Sequence, residues 1–492
     1  MASAAATFDA VKTNLDRAGQ GHLLAFYARL SGAEQAALLA QCAALDLAGL
    51  SGLIEKYVKA KPAAEVAGAI EPVHAYGLDG TVNGKSYDRA GYLAKGEALI
   101  RSGKAACFTV AGGQGSRLGY DGPKGCYPGG AVSGKPLFAC IADWILAVQQ
   151  RYGSRIYGGG GLVIPWYIMT SPQNHEATVA FFRQHRFFGL AEADVMFFPQ
   201  GVMPSMELGT GRILLSSPGE IGLNPDGHGG SLKALWSSGA IADMERRGVE
   251  EICYTQIDNP LVRAIDPLFL GLHRFAPDSS GEMSSKMVRK AHAAEKVGVL
   301  CKVGGKTAVV EYSDMPETLS KKTNADGQLT FDAGSIAVHV ISVAFVRKLN
   351  AGAGGFSLPY HRAEKKVAHA DFVTGQPVSP EKPNAIKLET FVFDALPLCE
   401  GGRSIVLETD RVDEFAPIKN AEGADSPATC RQIQTRRASN WLAKAGLGGV
   451  VPMSAGGEPD CVLELPPTTA LYPEDLRGLS VAKIAAGEKR VL

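Results

Sequence analysis

From residue 101 onward the sequence alternates short apolar runs with helix-like stretches, and this alternation restricts the chain to few architectures. The runs Ala105–Val110, Leu162–Met169, Val195–Phe198 and Ile252–Ile257 read as strands. The segments 137–150, 173–186 and 231–247 carry helical periodicity between them. Strands that are apolar throughout, each followed by a helix, predict βαβ units and a mostly parallel Rossmann-like α/β sheet buried on both faces. Farther along, 297–303 and 306–312 flank Gly304-Gly305, a two-residue hairpin signal, and another strand is expected at about 386–393.

The flanks read differently. Residues 1–100 are expected to form a helical N-terminal domain: Leu23, Leu24, Phe26 and Leu30 recur at helical spacing, and Ser31 with Glu34 makes a capping box. Residues 101–405 would hold the sheet. Residues 406–492, with LGGVVPM and CVLELPP, predict a small β-rich C-terminal domain of strands and loops.

Lys plus Arg and Asp plus Glu both number 50, so the formal charge is zero, which argues against a nucleic-acid binder working through a basic surface. The nine cysteines are scattered from Cys42 to Cys461 with no CxxC pair, as expected of free thiols in a reducing cytoplasm. The start MASAAATFDAVK lacks signal-peptide character. The longest apolar runs fall short of the ~17–25 residues that span a bilayer, so no membrane partner is expected.

The first strand runs straight into Gly112-Gly113-Gln114-Gly115-Ser116-Arg117-Leu118-Gly119, followed by Gly122-Pro123-Lys124-Gly125. Ligands of open parallel sheets bind beyond the carboxyl ends of the strands, so this loop is the first place to look for one. Its glycines let backbone N–H groups approach a phosphate or a base, and Arg117 and Lys124 add two cations, which suits a triphosphate. It is not the dinucleotide fingerprint, because three residues separate Gly115 from Gly119 where that motif has two. Gly129 to Pro136, GGAVSGKP, follows the P-loop pattern until Pro136 replaces the Ser or Thr that would hold magnesium. A P-loop kinase is therefore disfavoured.

The loop GGQGSRLG with GPKG resembles the signature of the eukaryotic-type UDP-sugar pyrophosphorylases, most closely the N-acetylglucosamine branch. Further similar segments follow in chain order: GQGHLLAFYARL, IPWYIMTS, PQGVMPSM, PDGHGG, IDNPL, EKVGVLCKVGGKTAVVEYSD, FDAGSIAVH, YHRAEKK, KLETFVFD and DEFAPIKNAEG. The resemblance implies a magnesium-dependent nucleotidyltransferase with UTP and a sugar 1-phosphate as partners. In that chemistry a sugar-phosphate oxygen attacks the α-phosphorus of UTP in line and pyrophosphate leaves. The nucleophile is already an anion, so positioning and charge neutralisation carry the catalysis.

The resemblance assigns roles residue by residue. The backbone of Val110, Ala111, Gly112 and Gly113 would hold uridine, Gln200 would read the uracil edge, and the Gly227 backbone would contact the nucleotide. Arg117, Lys124, Lys387 and Lys419 would hold phosphates. Asp258, the lone carboxylate at the end of a strand, would anchor Mg2+. His228, Gly298, Glu311, Ser335, Phe391 and Phe393 would face the sugar; Lys387, Glu389, Phe391 and Phe393 share one strand face by the period of two. The family's FNAGN appears here as Phe331-Asp-Ala-Gly-Ser335, with serine where the second asparagine faces the sugar. The expected product is UDP-N-acetylglucosamine, with UDP-glucose or UDP-galactose as the alternative that the shorter Ser335 leaves open. A catalytically silent UTP or UDP-sugar sensor is disfavoured, because a pure binder needs fewer phosphate cations than this set provides.

Overall fold

The computed structural model describes residues 7–60, 68–153, 161–352, 356 and 358–492. The chain falls into two compact units, each assembled from separated stretches. These units cut across the linear boundaries at 100/101 and 405/406. The larger takes the described parts of Val66–Gln200 and Ser231–Ser357 together with Phe393–Leu492.

Its centre is a ten-stranded sheet: β1 Ile70–Pro72, β2 Ala105–Val110, β3 Trp166–Thr170, β4 Val195–Pro199, β5 Glu251–Gln256, β6 Met283–Arg289, β7 Val299–Val303, β8 Lys306–Val310, β9 Ala333–Ser342 and β10 Val406–Glu408. The expected α/β class holds. The strands β5, β2, β3 and β4 lie side by side and parallel, while β9 runs antiparallel to β5 and leads to the mixed half of the sheet. Every residue of β3 is buried, as an apolar run in a doubly covered parallel strand requires. That strand is shorter than the expected Leu162–Met169, beginning after Pro165, whose nitrogen has no proton for the ladder.

The helix Leu137–Tyr152 connects β2 to β3 and buries Phe138, Ile141, Trp144, Ile145 and Val148 along one stripe, with the Trp144 indole donating to the Ile265 carbonyl at 3.0 Å. His175–Gln184 connects β3 to β4, and Gly230–Ser237 and Ala240–Arg246 precede β5. The hairpin β7–β8 turns at Gly304-Gly305, both at positive φ, as its sequence signal predicts.

The smaller unit gathers the described part of Met1–Glu65 with Gly201–Gly230 and Leu358–Val392. Its N-terminal helices, among them Gly32–Ala43 with the Ser31–Glu34 capping box, share one apolar core with the strands Met206–Glu207 and Ala385–Thr390. Gln20 fastens that core: its amide donates to the Gly211 carbonyl at 3.1 Å and accepts from the Ile213 N–H at 2.9 Å. Residues 1–6 and 61–67 of the expected helical span lie outside the described residues. Within 68–100, short strands including β1 interrupt the helices. With only Ile-Glu-Pro to read, β1 offers no alternation; it forms because the edge of β7 is open to pairing.

The expected β-rich C-terminus is corrected. Its main element is an 18-residue helix, Pro427–Lys444, whose Trp441 and Leu442 pack with Leu463, Leu476 and Ile484. Strands Val462–Glu464 and Lys489–Val491 form only a two-stranded sheet. The helix is mostly polar, so apolar periodicity does not expose it; Ser426, which accepts from the Thr429 N–H, and Pro427 at its first turn were the available signals. Among the described residues no single helix is long and apolar enough to cross a membrane.

Candidate active site

The crossovers place a switch point between β2 and β5. The chain moves from β2 outward through β3 and β4, then returns to the other side of β2 as β5. The two strands end level, Val110 beside Gln256, so the loops that follow them leave from neighbouring points. Such crevices are where open α/β sheets bind ligands.

The loop after β2 folds back on itself. Gly115 N–H donates to the Gly122 carbonyl at 2.9 Å and Lys124 N–H to the Gly113 carbonyl at 3.0 Å. Val110 and Ala111 are held by the sheet: the Val110 carbonyl accepts from Ile257 at 3.2 Å and Ala111 N–H donates to Met169 at 2.7 Å. Among the described residues no acceptor takes the N–H groups of Gly112 and Gly113, which leaves them as the donors this loop can offer. Gly112 has a packing reason as well. A Cβ there would lie 2.6 Å from the Gln200 side-chain nitrogen, so the buried Gln200 amide sits directly against the loop.

One residue that the sequence reading missed holds this loop. The Asn174 side chain, fully buried, donates to the carbonyls of Ala111 at 3.0 Å and Gly113 at 3.3 Å, while its oxygen accepts from Ser171 N–H at 2.8 Å. The Ser171-Pro-Gln-Asn174 turn at the end of β3 was its only local trace.

Lys124 points at Asp258 from the loop after β5, Nζ to Oδ2 3.7 Å, both largely buried. Burial pushes the Lys124 ammonium below the usual lysine range; Asp258 partly offsets this, and the charges of Lys419 and Arg117 push the same way as burial. Lys124, Arg117 and Lys419 therefore share one field around Asp258, an arrangement that favours an incoming polyanion. Arg117 is exposed in the short turn Ser116–Leu118. Lys419 is half-exposed, 3.4 Å from Asp425 and above the Phe415 ring.

The segment carrying Lys419 is tied to Asp258 through the backbone and through Asn259. Ile418 N–H donates to the Asp258 carbonyl at 2.8 Å; the buried Asn259 side chain donates to the Glu414 carbonyl at 2.6 Å and accepts from Ala416 N–H at 3.1 Å. A cleft of about 70 Å³ opens here, lined by Gln256, Asp258, Ser335, Ala337, Phe415 and Lys419. Its wall is an irregular stretch of β9 in which Ala337, a non-glycine residue, takes φ of 53°. Conformations of this kind cost free energy and cluster at functional sites.

Gly298, Glu311 and Ser335 come together beside it. Ser335 N–H donates to the Gly298 carbonyl at 2.8 Å, and a Cβ on Gly298 would lie 3.0 Å from Glu311 Oε1. Among the described residues no three His, Cys, Asp or Glu side chains cluster as a metal cage.

In the smaller unit Lys387 and Glu389 share a strand face and pair at 2.7 Å. The expected period-two face stops there, because the strand ends at Thr390; Phe391 lies beyond it and Phe393 is buried in the turn Val392–Leu398. That is a correction to the alternating face. His228 accepts a hydrogen bond at Nδ1 from Val392 N–H at 3.1 Å, so its neutral ring carries the proton on Nε2. Its ring stacks on Phe391, centroids 5.1 Å apart, and Phe391 stacks on His361 at 4.1 Å. Burial pushes the His228 pKa down to about 4, with Glu389 opposing and His361 adding to the shift. Gly227, at φ 88°, is pressed against the Thr390 backbone, which leaves no room for a Cβ.

The chain is similar to known proteins over most of its length. Residues 82–424 match the family model described as UTP--glucose-1-phosphate uridylyltransferase. UDP-N-acetylhexosamine pyrophosphorylase-like protein 1 of Homo sapiens is 35% identical over 483 residues, covering 95% of this chain and 93% of its own. UDP-N-acetylglucosamine pyrophosphorylase of Saccharomyces cerevisiae is 36% identical over 365 residues, covering 74% of this chain and 75% of its own. The crystal structure of the uridine diphosphate N-acetylglucosamine pyrophosphorylase from Trypanosoma brucei in complex with inhibitor aligns with a TM-score of 0.78 at 26% identity, over 95% of this chain and 94% of that one. The crevice between β2 and β5 thus sits in a nucleotidyltransferase fold, and the chain belongs to the UTP--glucose-1-phosphate uridylyltransferase family.

Proposed function

We propose that the chain transfers the uridylyl group of UTP to N-acetylglucosamine 1-phosphate, releasing pyrophosphate and forming UDP-N-acetylglucosamine. The observation that carries this reading is the meeting of Lys124, Asp258 and Lys419 at the switch point, beside the open N–H groups of Gly112 and Gly113. The names of the human, yeast and trypanosomal relatives support the substrate.

Gln200, packed on Gly112, offers an amide that both donates and accepts and is the candidate for the uracil edge. Val110 and Ala111 would set the height of the loop, and Gly112 and Gly113 would meet the nucleotide through their N–H groups. Arg117 and Lys124 would steady the leaving pyrophosphate, and Lys419 would neutralise charge on the sugar phosphate as its oxygen approaches the α-phosphorus. Lys387 is the further phosphate lysine, exchanging its ion pair with Glu389 for substrate. His228, Gly227, Phe391 and Phe393 would face the substrate, with His228 as a hydrogen-bond donor through Nε2 and not as a base. Gly298, Glu311 and Ser335 would face the sugar.

A single carboxylate without a cage fits Mg2+ held jointly by Asp258 and phosphate oxygens, since magnesium commonly takes one or two carboxylates together with substrate phosphates. When bound, the ion supplies Lewis-acid neutralisation of the phosphates. All nine cysteines are unbridged, which supports a reducing, cytoplasmic setting.

The test is pyrophosphate release from UTP and magnesium with N-acetylglucosamine 1-phosphate and glucose 1-phosphate in parallel. A preference for the N-acetyl sugar supports the proposal. Preference for glucose 1-phosphate would overturn the substrate and favour the UDP-glucose reading, for which Ser335 is the specific observation.

A further inference from the structure

The segment that imitates a P-loop does bind an anion, and the anion is part of the protein. Gly129–Pro136 curls so that the N–H groups of Val132 and Ser133 both point at Glu464 Oε2, each at 2.8 Å, while the Ser133 hydroxyl donates to Oε1 at 2.7 Å. Successive N–H groups converging in this way form a nest that binds phosphate or carboxylate. Gln434 closes the other side: its amide donates to the Gly129 carbonyl at 2.7 Å and accepts from Ala131 N–H at 3.2 Å. Glu464 and Gln434 are both buried. Glu464 ends the strand Val462–Glu464 and Gln434 comes from the helix Pro427–Lys444, so the C-terminal segment grips this loop from two elements.

The loop is joined to the proposed triphosphate site by a short, hydrogen-bonded stretch. Tyr127 N–H donates to the Lys124 carbonyl at 3.0 Å, and the Tyr127 carbonyl accepts from Leu137 N–H at 3.0 Å, just beyond the loop. Gly129 and Gly130 N–H groups donate to the Lys135 carbonyl at 2.7 and 3.0 Å and close the loop's base. Tyr127 packs edge-on to Tyr120 of the glycine-rich loop, centroids 5.6 Å apart. On its other flank a Cβ at Gly129 would stand 3.5 Å from Pro260, two places after Asp258. Through Tyr127 and Gly129, the base of the nest-bearing loop therefore meets the segments that carry Lys124 and Asp258.

We propose that Glu464 is a positioning residue for the triphosphate: by filling the nest at 129–136 it fixes the backbone that aims Lys124. The inference rests on the reading of Lys124 as a phosphate ligand. Coulomb's law alone predicts the opposite outcome for removal of the carboxylate, because deleting a negative charge near the site should tighten a polyanion. Weaker UTP binding after Glu464→Gln thus reports geometry and not charge.

The full-length chain, with Glu464→Gln and the milder Ser133→Ala, would be titrated with UTP and magnesium by calorimetry, and the Michaelis constants of UTP and sugar phosphate measured alongside. We expect UTP affinity to fall about tenfold in Glu464→Gln and about threefold in Ser133→Ala, from lost charge-assisted bonds, with the sugar-phosphate constant unchanged. Unaltered or tighter UTP binding in both variants overturns the proposal, whatever happens to the melting temperature. If Glu464→Gln does not fold, Ser133→Ala decides alone, since it removes one hydroxyl and leaves the nest. Affinity is read without turnover, so this result is separate from which sugar phosphate the enzyme accepts.

Discussion

Lys124 and Asp258 face one another across the end of the parallel sheet, Nζ 3.7 Å from Oδ2, one in the loop after β2 and the other in the loop after β5. Neither strand alone makes a site. The register that sets Val110 beside Gln256 brings the cation and the carboxylate to the same crevice. The separation is longer than an ordinary tight ion pair, and both groups are mostly shielded from water.

If Asp258 anchors magnesium, Asp258→Asn should raise the magnesium concentration needed for half-maximal rate by at least about tenfold, as loss of groups around a metal typically costs 10- to 100-fold. The check is a magnesium titration of initial pyrophosphate release at saturating UTP. A superimposable titration would place the metal elsewhere.

Gly112→Ala should damage nucleotide binding more than folding. The new Cβ would come to 2.6 Å from the Gln200 amide nitrogen and 3.0 Å from its Cδ, forcing the amide to swing away. Overpacking of this kind costs about 1–3 kcal/mol. If Gln200 reads uracil, selectivity for UTP over CTP should fall in the same variant. Wild-type selectivity with reduced stability would make Gly112 a packing residue only.

Much of this crevice could be read in the sequence, for a physical reason. A buried parallel strand must be apolar and must end where its loop begins, so Ala105–Val110 and the glycine run after it announce themselves. Local signals did well too: the Ser31–Glu34 box and the Gly304-Gly305 turn need only neighbouring residues. What stayed hidden depends on partners far apart in the chain. Glu464 meets Val132 across 332 positions, and Asn174 meets Ala111 across 63. The irregular backbone at Ala337 arises because β6 and β9 fall out of register, which no single strand reveals. The run of alternation through Phe393 misled because a strand's end depends on its ladder partner; Tyr360, at the start of its strand, pairs with Thr390, the last residue of the Lys387 strand.

His228 gives a pH prediction with a definite sign. Its folded pKa lies near 4, below the ordinary 6.5, chiefly because burial disfavours the charged ring. The stabilisation this represents is complete above pH ~6.5 and is lost as pH falls through about 4, at most about 3 kcal/mol. Urea unfolding across that window should show a steeper acid loss for wild type than for His228→Asn, which keeps an acceptor for Val392 N–H. Parallel curves would remove His228 as the titrating group. The same shift keeps the ring neutral throughout pH 6–8, so turnover there should show no His228 titration.

Lys419 supplies the sharpest separation of chemistry from stability. Its Nζ lies 3.4 Å from Asp425, with side-chain exposures of 44% and 39%, and ion pairs this exposed contribute about 0–1 kcal/mol to folding. Lys419 nevertheless lines the cleft with Asp258 and Ser335, and its charge is one of those that depress Lys124. Lys419→Ala should therefore leave the melting temperature nearly unchanged while lowering kcat by about 10²-fold, the scale for loss of one preorganised donor at developing charge. Asp425→Asn is the matched control. It deletes the ion pair but keeps the Asp425 carbonyl, which accepts from Lys419 N–H at 2.6 Å and Asn420 N–H at 3.1 Å. Asparagine also tolerates the left-handed backbone found there, φ 53°. The turn that delivers Lys419 should survive in this control, and kcat should stay within about threefold of wild type, since only an exposed pair is lost. Equal losses in both variants would mean that the pair is structural and that Lys419 does not act on phosphate.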